Sequence, residues 1–382
     1  MNIVIIANGY PNRQEPQFGC FEKEQAIALS KMGHKIAILY VDGRFRTYYR
    51  QIGVTHVVDN GIDIYGMYYF PMFFLNKISN RLYYWVRKKM LLRLFQQYLK
   101  EYKLPDLIYA HFLYNISYAV YLKKKYHIPL VGMEHWSILN SDNLDAYVKF
   151  RGQIAYQGAD KIIAVSDSLR QQIYRHFQKE SVVIHNMIAE EFVAIQAVNR
   201  ASDNNCNLIA VGSLLKRKGF DILITAMQEV IKQCPSCQLK IVGEGKERDE
   251  LEKMISQYGL IEHVKLLGRK RKEEIITLLM DSDIFISSSR SENFSVAVLE
   301  ALSVGLPVVA TICGGIKECI NDSNGVLVPI ENSQMLSQAI VDVCHNLERY
   351  DKQVISDNCK SRFAPSVIAS QLTDIFELVI SK

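Results

Sequence analysis

Two carboxylates eight positions apart, Glu292 and Glu300, stand in the run Ser291-Glu292-Asn293-Phe294-Ser295-Val296-Ala297-Val298-Leu299-Glu300-Ala301. Upstream, the apolar residues 284–286 read as a strand ending in Ser287-Ser288-Ser289. Downstream, a helical pattern runs to Gly305, and the next apolar run follows at 306–310 around Pro307. Glu292 therefore belongs to a loop at a strand's C-terminal end. Glu300 lies about two turns into the helix that follows. Ligands of open α/β sheets bind at that edge of the strands. The first N–H groups of a helix have no partner within it and favour an anion. Carboxylates beside free amides suit a ligand that carries both hydroxyls and phosphate, which describes a nucleotide-sugar.

A second constellation has the complementary charge. Lys216-Arg217-Lys218-Gly219 follows a strand end and precedes a helix from Phe220. Three cations beside a helix N-terminus oppose its dipole, unless an anion such as a diphosphate neutralises them. A long loop, residues 9–19 with Pro11 and Pro16, joins the first strand to the first helix. Its glycines would let backbone approach a diphosphate. His111 and His135 each end a strand. Two patterns are set aside. Asp281-Ser282-Asp283 has the spacing of a metal-holding pair but leads into a strand, so no metal is expected there. Cys234-Pro235-Ser236-Cys237 has zinc-knuckle spacing, yet no second Cys or His pair lies close along the chain. It reads as a helix-to-strand turn.

Taken together, these residues resemble the retaining family-four glycosyltransferases of GT-B fold (glycosyl transferases group 1). The resemblance is carried by Glu292-x7-Glu300, Ala301, the run Gly305 through Thr311, Gly314-Gly315, Glu318 and Asn324 through Val328. It extends to Val211-Gly212-Ser213, Lys218-Gly219, the Gly19 loop and Gly33-His34, and it is loose over residues 40–105. It implies that Lys218, with Arg217 as second cation, binds the donor diphosphate, and that Gly19 lies at the donor phosphates. It implies that Glu300 accepts the ribose hydroxyls and that Glu292 acts beside the transferred sugar, with Phe294 and Ser295 lining the donor. It makes His135 an active-site histidine. Three positions depart from the family pattern. Ser213 stands where Arg is more usual, Asn293-Phe294-Ser295 where Gly-Phe-Gly is common, and Met187 rather than Gly follows Asn186. Asn186 is accordingly read as structural.

The elements that must position these groups follow from the pattern of the chain. Apolar runs at 2–7, 36–41, 107–109, 130–132, 162–165 and 182–184 alternate with helical stretches, among them 21–32 and 114–126. Ser166 reads as a helix N-cap. The alternation restarts at 208–211, 238–242, 264–267, 284–286, 308–309 and 326–328. This predicts α/β architecture with parallel sheets. No Gly-x-Gly-x-x-Gly opens either half, which disfavours a nicotinamide enzyme. The predicted arrangement is two Rossmann-like domains facing a central cleft. Residues 1–192 would bind the acceptor and 206–364 the nucleotide-sugar, with 193–205 as linker. The resemblance implies that the last helix, 365–380, crosses back to the first domain.

The chain has 382 residues, 49% hydrophobic and 22% charged, enough for two sizeable cores. No signal-peptide core or apolar run of transmembrane length stands out. Eight scattered cysteines read as reduced thiols, so a cytoplasmic protein is expected. Charge is unequal: residues 1–190 carry 24 Lys+Arg against 15 Asp+Glu, residues 191–382 carry 21 against 25. The basic half contains Arg81, Arg87, Lys88, Lys89, Arg93 and Lys100 in a helical stretch without an acid. Trp85 lies among them, Arg87 apart, and the aromatic run 67–75 is near in sequence. Such a surface suits peripheral contact with an anionic bilayer at the inner face of a membrane; the alternative is a solvated face of a helix packed on its own domain. The expected reaction moves a sugar from a nucleotide-diphosphate-sugar to a saccharide acceptor, lipid-linked, in surface polysaccharide synthesis. No cofactor and no nucleic acid is expected. The alternatives are a GT-B sugar-nucleotide epimerase or hydrolase, and a non-catalytic nucleotide-sugar-binding partner.

Overall fold

The computed structural model describes residues 1–46, 48–70, 79–197 and 206–382. Residues 198–205 of the expected linker and 71–75 of the aromatic run lie outside the described residues. The chain forms two compact units, Met1–His185 with Pro365–Lys382, and Asn186–Ala364.

The first unit is built on strands β1 (Asn2–Ala7), β2 (Lys35–Asp42), β3 (Gly53–Asp59), β4 (Ile62–Tyr68), β5 (Leu107–His111), β6 (Leu130–Glu134), β7 (Lys161–Ala164) and β8 (Val182–Val183). They lie side by side in the order β3-β4-β2-β1-β5-β6-β7-β8. Helices cover this sheet, so its central strands are apolar almost without interruption; Ile3, Val4 and Ile5 are fully buried. One element departs from the expected parallel sheet. β3 pairs antiparallel with β4 through Asp59↔Ile62. The turn between them uses Asn60 at φ 51 and Gly61 at φ 73. Asn-Gly with positive φ at both positions is the turn whose twist matches two antiparallel strands. The predicted N-cap is present, Ser166 Oγ accepting the Leu169 N–H at 3.2 Å.

The helix Pro365–Ile380 belongs to this first unit and packs on the helix Cys20–Lys31. Its Phe376 meets the Tyr109 ring at 5.0 Å between centroids, and Thr373 Oγ1 lies 2.9 Å from His34 Nε2. Lys352–Ile380 is the one stretch among the described residues long and apolar enough to cross a membrane. Pro365 divides it into two helices, and Ile368, Leu372 and Phe376 are fully buried in the protein's own interior.

Among the described residues the second unit has six parallel strands: β9 (Asn207–Val211), β10 (Gln238–Val242), β11 (Val264–Leu266), β12 (Ile284–Ser287), β13 (Val308–Thr311) and β14 (Gly325–Val328). Their order is β11-β10-β9-β12-β13-β14. Connections run outward from β9 in one direction and outward from β12 in the other. The loops leaving β9 and β12 therefore part to opposite faces and leave a crevice at the carboxyl ends, the switch point of doubly wound sheets.

Candidate active site

Both loops predicted to carry chemistry leave that switch point. After β9, residues Lys216–Lys218 form a single 3-10 turn. Gly219, at φ 64, starts the helix Phe220–Gln233. Its conformation and its neighbours both require glycine, because a Cβ there would stand 2.0 Å from the Ser288 carbonyl oxygen. The cation loop is thus pressed onto the end of β12. Arg290 completes the junction. Its N–H donates to the Arg217 carbonyl at 2.8 Å. Its guanidinium donates to both oxygens of Asp221, at 2.7 and 2.8 Å.

Lys218 Nζ donates to Glu292 Oε1, and Arg217 Nη1 lies 3.8 Å from Glu292 Oε2. Ser289 Oγ also donates to Glu292 Oε1, at 3.1 Å. Glu292 is 8% exposed. A carboxylate that far from water is held by its charged partners. The predicted burden of three cations on one helix N-terminus is shared out. Lys216 pairs at 2.8 Å with Asp221, which sits in the helix's first turn. Burial raises the Asp221 pKa, but hydrogen bonds from Arg290 and Lys216 outweigh it and hold the carboxyl at about 2. Two cations, Arg217 and Lys218, remain on the Glu292 side.

The loop 291–295 is held from beneath. A Cβ on Gly314 would stand 1.8 Å from the Glu292 carbonyl oxygen, and the Gly315 N–H donates to the Asn293 carbonyl at 2.8 Å. Asn186 Nδ2 donates to the Phe294 carbonyl at 3.1 Å, a structural use of that asparagine. Phe294 is buried against Phe363, with ring centroids 5.6 Å apart. Ser295 is the N-cap of the helix Val296–Ser303 and makes no side-chain cap bond, and Glu300 is half-buried in that helix's second turn. Asp283 lies at the other edge of the sheet, its Oδ2 accepting the Asn207 N–H at 2.8 Å at the start of β9.

The remaining candidates lie in the first unit, at the carboxyl ends of its own strands. Gly19, at φ 79, is the N-cap of the helix Cys20–Lys31, and a Cβ there would stand 2.3 Å from the Gly9 carbonyl oxygen. His135 leaves β6 beside His111 at the end of β5; Nε2 of His135 and Nδ1 of His111 are 3.1 Å apart, and the rings stack. Burial first, and His135 second, keep the His111 pKa well below the usual histidine value. Between two neutral rings one of these nitrogens donates and the other accepts, so the tautomers of His111 and His135 are coupled. Phe112, at φ 66, crosses from β5 into the helix Leu113–Tyr126 with its ring 5.1 Å from His135. A non-glycine residue at that φ costs roughly 1–3 kcal/mol and marks sites where the surroundings impose it. Arg290 and Phe112 were not singled out from sequence. Arg290 had a signal, a charge within the serine-rich strand end; Phe112 had none.

Glu134 is fully buried beneath His135. Its carboxylate takes the N–H groups of His135 at 3.0 Å and Trp136 at 2.8 Å, and the Tyr156 hydroxyl at 2.8 Å. Burial outweighs these bonds and lifts its pKa from 4.5 to about 7. A carboxyl whose pKa rises on folding contributes stability that is complete below the unfolded value and is lost as pH rises through the folded one. Stability should therefore fall between pH 4.5 and 7 by an amount of the order of 3 kcal/mol. Glu134→Gln should flatten that slope in denaturant titrations at a series of pH values. The same slope in both proteins would clear Glu134 as its source.

Residues 23–192 match the family model of Glycosyltransferase Family 4, and residues 191–356 that of Glycosyl transferases group 1. An uncharacterized glycosyltransferase of Methanocaldococcus jannaschii is 29% identical over 249 residues, 64% of this chain and 66% of that one. One from Haemophilus influenzae is 26% identical over 334 residues, 85% of this chain and 86% of its own. The chain thus spans just under two thirds of the first relative and most of the second. Among solved structures, that of Anabaena HepE in complex with UDP-glucose superposes with a TM-score of 0.72 at 19% identity, covering 99% of this chain and 100% of that one.

Proposed function

The chain belongs to the group 1 glycosyltransferases of GT-B fold, and from that premise we propose that it moves a sugar from a nucleoside-diphosphate sugar to a lipid-linked saccharide, with retention at the anomeric carbon. The observation that carries this reading is the meeting of Arg217, Lys218 and Glu292 at the switch point of the second sheet. Phosphate needs cations and amides there, and a sugar needs a hydrogen-bond acceptor. Lys218, shared between a donor diphosphate and Glu292, would stabilise the charge that grows on the leaving group. Glu292 would then accept a sugar hydroxyl, and Glu300 the two ribose hydroxyls. The acceptor attacks from the leaving-group face, and the departing phosphate oxygen takes its proton. HepE, whose structure holds UDP-glucose, supports a donor of this class. The test is nucleotide release across a panel of nucleotide-sugars, with and without lipid extract. Release that needs no acceptor would overturn transfer in favour of hydrolysis or epimerisation.

In this reading the cations at 217 and 218 take the place of a divalent metal. EDTA-treated protein should turn over equally with and without added Mn²⁺. Activity that returns only with Mn²⁺ would sink this reading and bring Asp281 and Asp283 back as ligands, against the placement of Asp283 at the opposite strand edge.

The lipid acceptor rests on the helix Asn80–Tyr98. Leu91, Leu94, Phe95 and Tyr98 are buried, while Arg81, Trp85, Lys89 and Arg93 are exposed. Arg87 does not belong to the wet face. Its guanidinium donates to Tyr69 Oη at 3.3 Å and lies by the Tyr118 ring, so its planar cation is spent inside the domain. Replacing Arg81, Lys89 and Arg93 with Gln should release the protein from anionic vesicles at low salt. Each cation adds about 1 kcal/mol near such a surface. Donor binding should be unchanged. A wild type that ignores anionic vesicles would make the face merely solvated, and a soluble acceptor the better assignment.

A further inference from the structure

Cys234 and Cys237 lack a second cysteine pair along the chain, but the fold supplies one. Cys206 immediately precedes β9, Cys237 immediately precedes β10, and Cys344 is in the last turn of the helix Ser333–His345. The sulfurs of Cys206, Cys237 and Cys344 all lie within 4.8 Å of one another. Cys206 and Cys344 approach to 2.6 Å, Cys237 and Cys344 to 3.7 Å. Cys234 falls outside that group of three and lies beside it, on the turn that ends at Cys237, with its Sγ 3.5 Å from His345 Nε2. Cys206, Cys234 and Cys237 are buried and Cys344 is half-buried.

We propose that Cys206, Cys237 and Cys344, with Cys234 turning in as the fourth ligand, form a thiolate site for one structural zinc ion at the amino-terminal edge of the second sheet. Zinc–sulfur bonds of about 2.3 Å set sulfurs about 3.8 Å apart in a tetrahedron. The Cys237–Cys344 separation of 3.7 Å already has that value, while Cys206 and Cys344, 2.6 Å apart, must open by roughly 1 Å to admit the ion. Two residues between Cys234 and Cys237 let a single turn give two ligands. Backbone bonds hold that turn: the Cys237 N–H donates to the Cys234 carbonyl at 3.0 Å, and the Gln238 N–H to the Cys206 carbonyl at 3.1 Å. Four zinc–sulfur bonds form as four thiol protons leave to solvent. His345 can donate to the Cys234 sulfur and offset part of the negative charge. A disulfide between Cys206 and Cys344 would use two of the sulfurs and leave two thiols in the core. A metal ion uses all four and needs no oxidant.

Such an ion clamps the starts of β9 and β10 to the end of one helix. It lies a strand's length from Lys218 and Glu292, so it supports the unit rather than the reaction. The proposal is independent of the donor and acceptor assigned above. It is tested on the full chain, purified under reducing conditions without chelator. Metal analysis should find about one zinc per chain, retained through dialysis. Protein stripped under denaturing conditions and refolded should take up Co²⁺ with intense sulfur-to-cobalt absorption. Cys237→Ser and Cys344→Ser should each hold at least tenfold less zinc than wild type. Cys319→Ser, whose sulfur donates to the Ile316 carbonyl instead, should hold the full amount. If the serine variants fail to fold, cobalt uptake by wild type decides. Fully reduced protein that binds neither ion overturns the proposal. So does protein whose peptide map, without reductant, shows Cys206 joined to Cys344.

Discussion

Lys218→Ala is expected to lower kcat by about 10²–10³-fold, the usual loss when one preorganised donor to a developing anion is removed. Lys218 is the best-placed cation of the second unit for this role. Its side chain is 14% exposed and is oriented by Glu292. The reading assigns it to charge that grows only as the donor bond breaks. The loss should therefore appear in kcat more than in KM. Removing it also strips Glu292 of its closest partner, leaving Ser289 at 3.1 Å and Arg217 at 3.8 Å. Thermal unfolding must accompany the assay, so that a misfolded loop is not mistaken for lost chemistry. Lys218→Arg keeps the charge but changes its geometry and should recover part of the rate. A folded Lys218→Ala protein with wild-type turnover would end the assignment of this loop to the leaving diphosphate.

Glu300→Ala is expected to act differently. A charged hydrogen bond to a ligand is worth roughly 1.5–3 kcal/mol, which is about 10–150-fold in affinity. Ribose hydroxyls are bound alike before and during reaction. The loss should therefore fall on donor KM, and on binding of the free nucleotide, more than on kcat. The helix Val296–Ser303 should tolerate the change, since alanine is its best former and Glu300 is only half-buried. Glu300→Gln keeps one acceptor oxygen and should lie between the two. Unchanged nucleotide affinity in Glu300→Ala, measured by calorimetry, would remove Glu300 from the ribose.

Much of this protein was written in local patterns. Buried parallel strands need continuous apolar runs, and glycine or proline must punctuate them. Residues 2–7 and 238–242 were therefore legible, as were the loops that hold Lys218, Glu292 and Gly19. Asn60-Gly61 carried a hairpin signal of the same local kind, and the antiparallel edge could have been read from it. What the chain could not show was adjacency. β9 and β12 are neighbours although more than seventy residues separate them, and that pairing brings Lys218 to Glu292. Adjacency also turned Arg87 inward to Tyr69, placed His111 against His135, and gathered Cys206, Cys237 and Cys344. Hydrophobic period and turn chemistry act over a few residues and leave their mark in sequence. Strand order is settled by how whole sheets and helices cover one another, a balance of buried area and chain connectivity that no short window contains.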